Sequence, residues 1–290
     1  MGLTTVTRRD RVRKRQRLLL AGTTLAALVL GLGIASSALA VTKLQEEFIP
    51  FADCPVETAA VCLVAHTTGG EFKINHKTVP IEKTITLQGG LPTESYATQP
   101  LIAALDGNTL SKTPLTVPGG LVGILGLGGE VTATAEIAGP VSGVQISKLA
   151  LVTQSGTAVT LPIKVKLDNP VLGPECYIGS DAEPIVLHLT TGTTSPPPPN
   201  TPIKGARGTL EGKGKGRIVG ITGNSLVDNS YSVPGATGCG GSLAPIIDLA
   251  VDLQVGLPAP AGTNTAIMNG GLEETTSFWV KKYKIKTKKH

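Results

Sequence analysis

The sequence predicts an all-β protein, built as an antiparallel β-sandwich or a sandwich-like barrel with long loops rich in glycine and proline. Apolar and polar residues alternate with a period of two in several stretches, as they do in strands with one face on a core. Aromatic residues make up only 3% of the chain, so a core would be built from branched aliphatic side chains, which suit strands. The 36 glycines and 21 prolines supply turns at the dense spacing typical of sandwiches and barrels.

The strands are predicted from this alternation. Each alternating stretch would place its apolar side chains on a core and its polar side chains toward water. Pro162 lies inside one of them and predicts an edge strand or a bulge there, because proline lacks the amide donor of a sheet ladder. Helical patterns are weak, and the best candidate is the short segment 99–105. The predicted strands are 131–137, 159–167, 185–190, 247–255 and 283–287.

The first forty residues have the layout of a secretory signal peptide. A basic head at 8–17 precedes an apolar run at 18–35 and a small-x-small cleavage site at 38–40. We expect cleavage between Ala40 and Val41, which leaves 41–290 as a secreted β domain with no stable membrane span. The alternative is an uncleaved anchor, because the apolar run reaches the lower length limit of a spanning helix. The choice between the general secretory and the twin-arginine pathway stays open.

The charge of the chain is divided between the leader and the body. The whole chain carries +5, and the leader, with seven basic residues and Asp10, carries +6 of it. Residues 41–290 are therefore close to neutral, and the basic balance is no argument for binding nucleic acid. Alternating lysines near the C-terminus predict a solvated edge strand protected from aggregation, and the alternative is contact with anionic polymers of a cell envelope. These residues are Lys281, Lys282, Lys284, Lys286, Lys288 and Lys289.

Four cysteines follow the predicted cleavage site, at Cys54, Cys62, Cys176 and Cys239. An even number in an oxidising compartment predicts two disulfides. Three pairings are open, and we favour Cys54 with Cys62 and Cys176 with Cys239, because each pair then lies in its own half of the chain. A metal site with His66 is disfavoured, because a C-x-x-C knuckle and a clear fourth ligand are missing.

One segment, 191–202, contains four consecutive prolines and has the composition of a stiff linker. It would divide 41–290 into two domains if it were a true linker. Because Cys176 and Cys239 flank it, we predict instead a long exposed loop within one folded unit.

The sequence lacks an evident catalytic constellation, so we predict that the protein is not an enzyme and carries no cofactor. It has no G-x-S-x-G nucleophile elbow, and a histidine-based dyad would have to use His66 or His76 with a distant partner. On the strand predicted at 247–255, Asp248 and Asp252 would lie about 13 Å apart, which exceeds the usual separation of glycosidase carboxylates. The segment 228–230 predicts a turn rather than a calcium loop.

Two further segments bear on function. Residues 121–127 are apolar on both faces, which predicts a fully buried strand, or else the lining of a lipid cavity or a membrane contact. Phe278, Trp279 and Tyr283 predict a piece of core, and the alternative is a small contact patch beside the lysines.

Segments at both ends of the mature chain carry a family resemblance. They are Cys54-Pro55 followed by Cys62, residues 67–70, Gly238-Cys239-Gly240 and residues 256–266. These segments resemble parts of uncharacterised exported β-rich proteins of high-GC Gram-positive bacteria. The resemblance implies a secreted or envelope location, and no activity comes with it.

These observations lead to three hypotheses of function. The first is a non-enzymatic secreted or envelope-associated β protein with a structural or binding role. The second is a carrier or binder of a lipid or other apolar small molecule, suggested by 121–127 and by the aliphatic composition. The third is an extracellular hydrolase that uses His66 or His76. The oligomeric state is not predicted.

Overall fold

The structure is a computed structural model that describes residues 45–120 and 130–283. The predicted cleavage site between Ala40 and Val41 and the apolar segment 121–127 lie outside the described residues. The same holds for Lys284, Lys286, Lys288 and Lys289. The chain divides into two units, Met1–Ile49 and Pro50–His290, and both sheets belong to the second unit.

Strands dominate the described residues of this unit. The strands are β1 (Val61–Ile74), β2 (Lys77–Pro80), β3 (Ile85–Leu91), β4 (Thr98–Pro100), β5 (Ile102–Ala103), β6 (Leu115–Thr116), β7 (Thr132–Ile137), β8 (Gln145–Ser147), β9 (Val159–Asp168), β10 (Tyr177–Ile178), β11 (Ile185–Leu189), β12 (Thr209–Lys213), β13 (Ile218–Asp228), β14 (Ala236–Thr237) and β15 (Thr265–Thr276). The helices are α1 (Lys148–Thr153), α2 (Ala244–Val255) and α3 (Ser277–Tyr283). Short 3₁₀ turns lie at Val141–Gly143 and Gly241–Leu243.

The strands form two antiparallel sheets arranged as a sandwich-like fold, which confirms the predicted class. The first sheet has the order β12-β13-β15-β1-β3-β5, and β2 also pairs with β1. The second has the order β14-β10-β9-β7-β6. There β9 also pairs with β11 and β8, and β8 pairs with β4. The core cluster takes side chains from both sheets.

The alternation in 131–137, 159–167 and 185–190 is confirmed, since these stretches become β7, β9 and β11. In β11 the inward residues Ile185, Leu187 and Leu189 are buried, and His188 between them is exposed. The apolar face is removed from water while the polar face stays solvated, which is the physical basis of the pattern.

The expectation that Pro162 marks an edge strand or a bulge is wrong, since β9 pairs with β11 in unbroken register at this position. Strand β9 is internal and has neighbours on both sides. On one side Pro162 lies opposite Val186 of β11. On the second side the Pro162 carbonyl accepts a 3.0 Å hydrogen bond from the Ala138 amide. On that second side the neighbour of β9 changes from β8 at Thr160 to β7 at Ile163. The missing amide donor therefore falls where one neighbouring strand ends and another begins, so an internal proline is tolerated.

The predicted strand at 247–255 is wrong, because this segment is helix α2. Ile247, Val251 and Val255 are buried and spaced by four residues, a spacing that fits one helix face as well as one strand face. The alternation also assigned Leu249 and Leu253 to the core, and these side chains are 58% and 74% exposed. Helix signals at both ends were missed: a proline in the first turn, and Gly256 after the last turn with a φ of 83°.

A shorter prediction is also wrong, and another falls mostly outside the described residues. The segment 99–105 is not helical but contributes to β4 and β5. Leu101 is buried and donates its amide to the Val144 carbonyl at 2.9 Å, while Leu105 is exposed, so the two do not share a face. Of the strand predicted at 283–287, only Tyr283 is described, and it ends helix α3.

Both cysteine pairs lie at disulfide distance, in the favoured pairing. The Cα atoms of Cys54 and Cys62 are 5.5 Å apart, and those of Cys176 and Cys239 are 4.1 Å apart. The first pair ties the segment before β1 to that strand, and the second ties the residue before β10 to the turn that precedes α2. Two such pairs are consistent with an extracellular or envelope protein.

The proline-rich segment 191–202 lies within the second unit and packs against it. Thr191 is fully buried, and Asn200 donates through Nδ2 to the carbonyls of Asn229 and Asn264 at 2.9 and 2.8 Å. These bonds anchor the segment to the loop that follows β13 and to the loop that precedes β15, instead of leaving it as an independent spacer.

Candidate functional site

The two sheets enclose an apolar cavity of about 80 Å³. Its lining comes from the inward faces of β1, β2 and β3 on one side and of β7, β9, β10 and β11 on the other. Several lining residues are half-buried, so solvent reaches part of the cavity. They include Phe72, Ile74 and Val79 on the first sheet and Ala133, Ala135 and Val165 on the second.

The gap has a cause in the sequence of β7. Its inward positions Ala133 and Ala135 carry only a methyl group, opposite larger side chains such as Phe72. Two neighbouring alanines leave space that leucine or isoleucine would fill in a close-packed interior. The alternating pattern predicted which residues face inward, but it did not predict a hollow.

The few polar residues around the cavity are mostly bound to their neighbours. The Ser111 and Thr113 hydroxyl oxygens lie 2.8 Å apart, and Lys77 Nζ lies 3.4 Å from the Pro118 carbonyl. Tyr231 donates its hydroxyl to the Lys73 carbonyl at 3.2 Å, and its burial raises the pKa of the phenol above the ordinary range. The described residues of the site therefore offer apolar contact and include no evident reactive group.

A second cavity of about 50 Å³ continues along the gap. Leu63, Leu226 and Met268 are among its lining residues, and Ile85 lines both cavities. Asn224 also lines the second cavity, and its side-chain oxygen Oδ1 is buried without a hydrogen-bond partner among the described residues. Sequence reasoning missed this asparagine.

A buried ion pair links the two layers. Lys148 Nζ, in α1, lies 3.6 Å from Glu274 Oε1 on β15 of the first sheet. The same ammonium lies 4.9 Å from the centre of the Tyr96 ring. Because no local pattern pairs residues so far apart in the chain, sequence reasoning could not predict this contact.

The expectation that Phe278, Trp279 and Tyr283 are core is wrong. Phe278 is 63% exposed, and the other two rings are only half-buried on helix α3. The Arg217 guanidinium lies 4.6 Å from the Trp279 ring centre, and Lys282 Nζ lies 5.1 Å from it. Cations that cover ring faces replace the burial that a core would provide. We call these five residues the aromatic–cation patch.

The remaining candidates occupy structural positions. Lys281 pairs with Glu57 at 3.0 Å on the surface. His66 Nδ1 lies 3.1 Å from the Thr86 hydroxyl, and His76 Nε2 lies 3.2 Å from the Gln254 carbonyl. Across residues 45–120 and 130–283, no group of three or more His, Cys, Asp and Glu residues is arranged to hold a metal ion.

The carboxylates of Asp248 and Asp252 lie one turn apart on α2, not on a strand. Asp248 accepts the Cys239 amide and Asp252 accepts the Ala236 amide, each at 2.7 Å. Burial raises the pKa of Asp252, and the charge of Asp248 adds to that rise. The predicted turn at 228–230 forms, with the Asp228 carboxylate accepting the Ser230 amide at 2.9 Å.

Comparison with known proteins identified no matching family model, no matching curated protein and no matching solved structure. Within the described part of the chain, helices fall short of the length and apolar character needed to cross a membrane.

Proposed function

We propose that this is an exported, non-enzymatic binding protein that holds an apolar chain or ring between its two sheets. The observation that carries the proposal is the cavity of about 80 Å³ with an almost entirely apolar lining and half-buried walls. Export is supported by the signal-like layout of residues 1–40 and by the two cysteine pairs at disulfide distance.

A ligand would relieve a packing defect. At about 24 cal/mol per Å³, a fully enclosed empty cavity of this size would destabilise the fold by about 2 kcal/mol, which is an upper limit for a cavity that solvent partly reaches. A ligand that fills the space restores the lost dispersion contacts and removes its own apolar surface from water. Apolar cavities stay dry and bind apolar molecules for these reasons.

The shape of the lining indicates the class of ligand. Aliphatic side chains form most of the wall, with Phe72 and Tyr231 as its aromatic members, and the second cavity extends the gap beyond Ile85. A small gap with mostly aliphatic walls suits an acyl chain or a similar slender hydrocarbon group better than a broad planar ring. The partly accessible walls would admit one end of such a chain.

Native mass spectrometry of protein purified from its own host tests whether an apolar ligand is carried. Calorimetric titration with hexanol tests the site itself. The variant Ala135→Leu should fill the cavity and lower hexanol affinity at least tenfold, a loss of about 1.4 kcal/mol. Thr134→Leu adds a similar side chain to the opposite face of β7 and serves as the control. Equal hexanol binding by wild type and Ala135→Leu, or no binding by wild type, would refute the proposal.

Export has its own test. N-terminal sequencing of protein recovered outside the cytoplasm should find Val41 as the first residue. Recovery of the intact chain in the membrane fraction would instead support the uncleaved anchor.

A second function, attachment to anionic polymers of the cell envelope, is favoured by the aromatic–cation patch. Phe278 exposes a large ring beside Lys282, and four further lysines follow α3 in the sequence. Aromatic faces contact sugar rings, and ammonium groups pair with phosphate or carboxylate groups. The partner would be an anionic polysaccharide, whose sugar rings would contact the Phe278 ring while its anionic groups pair with the lysines.

Retention on purified cell-wall material at low salt tests this attachment. Removal of residues 284–290 leaves α3 complete and should release the protein, as should the double variant Phe278→Ala/Lys282→Ala. Lys281→Ala is the matched control, because that lysine already pairs with Glu57. Unchanged retention of both altered proteins would leave the lysines as protection against aggregation.

A further inference from the structure

A row of paired residues crosses the first sheet at the point where the two cavities adjoin. Ile85 on β3 is the partner of Thr67 on β1, which is the partner of Gly270 on β15, which is the partner of Asn224 on β13. Ile85 lines both cavities, and Thr67 and Asn224 line the second. Asn224 therefore lies three strands from Ile85, roughly 14 Å at about 4.8 Å per strand, in the wall of the second cavity.

Asn224 is an unusual residue for this place. It is 6% exposed, and Oδ1 accepts no hydrogen bond from any residue in the described part of the chain. A register shift between Thr222 and Asn224 marks a bulge in β13, and Leu226, two residues further on, lines the same cavity. The carboxamide consequently belongs to the inward face of β13, beside the apolar side chain of Leu226.

A buried acceptor without a partner destabilises a fold, whereas an apolar side chain of similar size at the same position does not. A leucine at position 224 would match the neighbours Leu226 and Met268 and would avoid the destabilisation caused by an unpaired acceptor. A donor supplied by the ligand removes this destabilisation, because the hydrogen bond then forms in an environment of low polarity, where hydrogen bonds are strong.

We propose that Asn224 Oδ1 accepts a hydrogen bond from a donor on the bound ligand. The ligand class would then be an aliphatic molecule that carries a hydroxyl or amide N–H group, not a plain hydrocarbon. This inference rests on the proposed function, because it assigns a polar anchor within the same gap.

Two isomeric probes separate the anchor from the cavity. Hexanol and pentyl methyl ether contain the same atoms, but only the alcohol can donate a hydrogen bond. Titration of the wild-type protein should show about fivefold tighter binding of hexanol, since the net strength of a neutral hydrogen bond is about 1 kcal/mol. Asn224→Leu should bind the ether at least as well as wild type does and should lose the preference for the alcohol.

The outcomes distinguish the two proposals. If wild type binds both probes equally, the anchor is wrong and the cavity proposal stands; a water molecule held by Asn224 gives this result. If wild type binds neither probe, both proposals fail. The comparison of probes on wild type needs no variant, so it decides the matter even if Asn224→Leu does not fold.

Discussion

Lys148 Nζ lies 3.6 Å from Glu274 Oε1, and this pair joins the helix at the end of β8 to the first sheet. Both side chains are largely buried, so each charge depends on the other for compensation. A buried pair of this kind adds little over a well-packed apolar pair, but removal of one partner leaves an uncompensated charge in the interior.

Lys148→Met should therefore lower the free energy of unfolding by about 3 kcal/mol. Urea titration followed by circular dichroism measures the change. The double variant Lys148→Met/Glu274→Met should recover most of the loss, because no unpaired charge remains. A single variant as stable as wild type would show that the two charges are not buried together.

The orientation of α2 gives a prediction with a matched control. Val251 is fully buried and Leu253 is 74% exposed, although alternation along a strand would give both the same surroundings. Val251→Asp should destabilise the protein by about 3 kcal/mol or more, because it buries a charge without a partner. Leu253→Asp should change stability by less than about 0.5 kcal/mol. Similar losses in both variants would favour the strand that the sequence predicts.

Asp252 makes stability depend on pH. Burial and the charge of Asp248 raise the pKa of Asp252 in the folded state, so protonation favours folding. This contribution is complete below the ordinary aspartate pKa of about 3.9 and is lost as the pH rises through the higher folded-state pKa. Asp252→Asn keeps an acceptor for the Ala236 amide but carries no charge, so its stability should not fall in this way as the pH rises.

Urea titrations of wild type and Asp252→Asn from pH 3 upward measure the effect. The free energy of unfolding of the variant should rise relative to that of wild type as the pH rises above about 4. Asp252→Ala, which removes the acceptor, should be less stable than Asp252→Asn throughout by about 1 kcal/mol. A constant difference between wild type and Asp252→Asn across this range would contradict the raised pKa.

Gly270 is required by a close approach of two strands. A Cβ atom at this position would collide with the carbonyl oxygen of His66 on β1, next to the register shift between Thr67 and Gly69. Gly270→Ala should destabilise the protein by about 2 kcal/mol through this overpacking. Gly69→Ala, at the same bulge, meets nothing within 4 Å and should be tolerated. Thermal unfolding of the two variants compares them, and equal midpoints would rule out the close approach.

Local patterns predicted the part of the fold that depends on one strand at a time. Alternation identified the inward faces of β7, β9 and β11, and residues on these faces, such as Ala135, Val165 and Leu187, line the main cavity. It failed for α2, because a spacing of four residues at Ile247 and Val251 satisfies both a strand and a helix.

The candidate site depended on information that local patterns lack. The side chains opposite Ala133 and Ala135 decide whether the gap between the two inward faces is filled. Only the packing of the two sheets determines which side chains these are. The position of Asn224 depends on a bulge in β13, which interrupts the alternation. The aromatic–cation patch needs Arg217 to meet Trp279 across 62 residues of sequence.

The cavity is tested most directly by a crystal structure of the protein under xenon pressure, because xenon enters apolar cavities without needing a polar contact. We predict a xenon atom between the sheets, in contact with Phe72 on one side and with Ala135 or Val165 on the other. A structure in which side chains close this gap and xenon is absent from it would contradict the account.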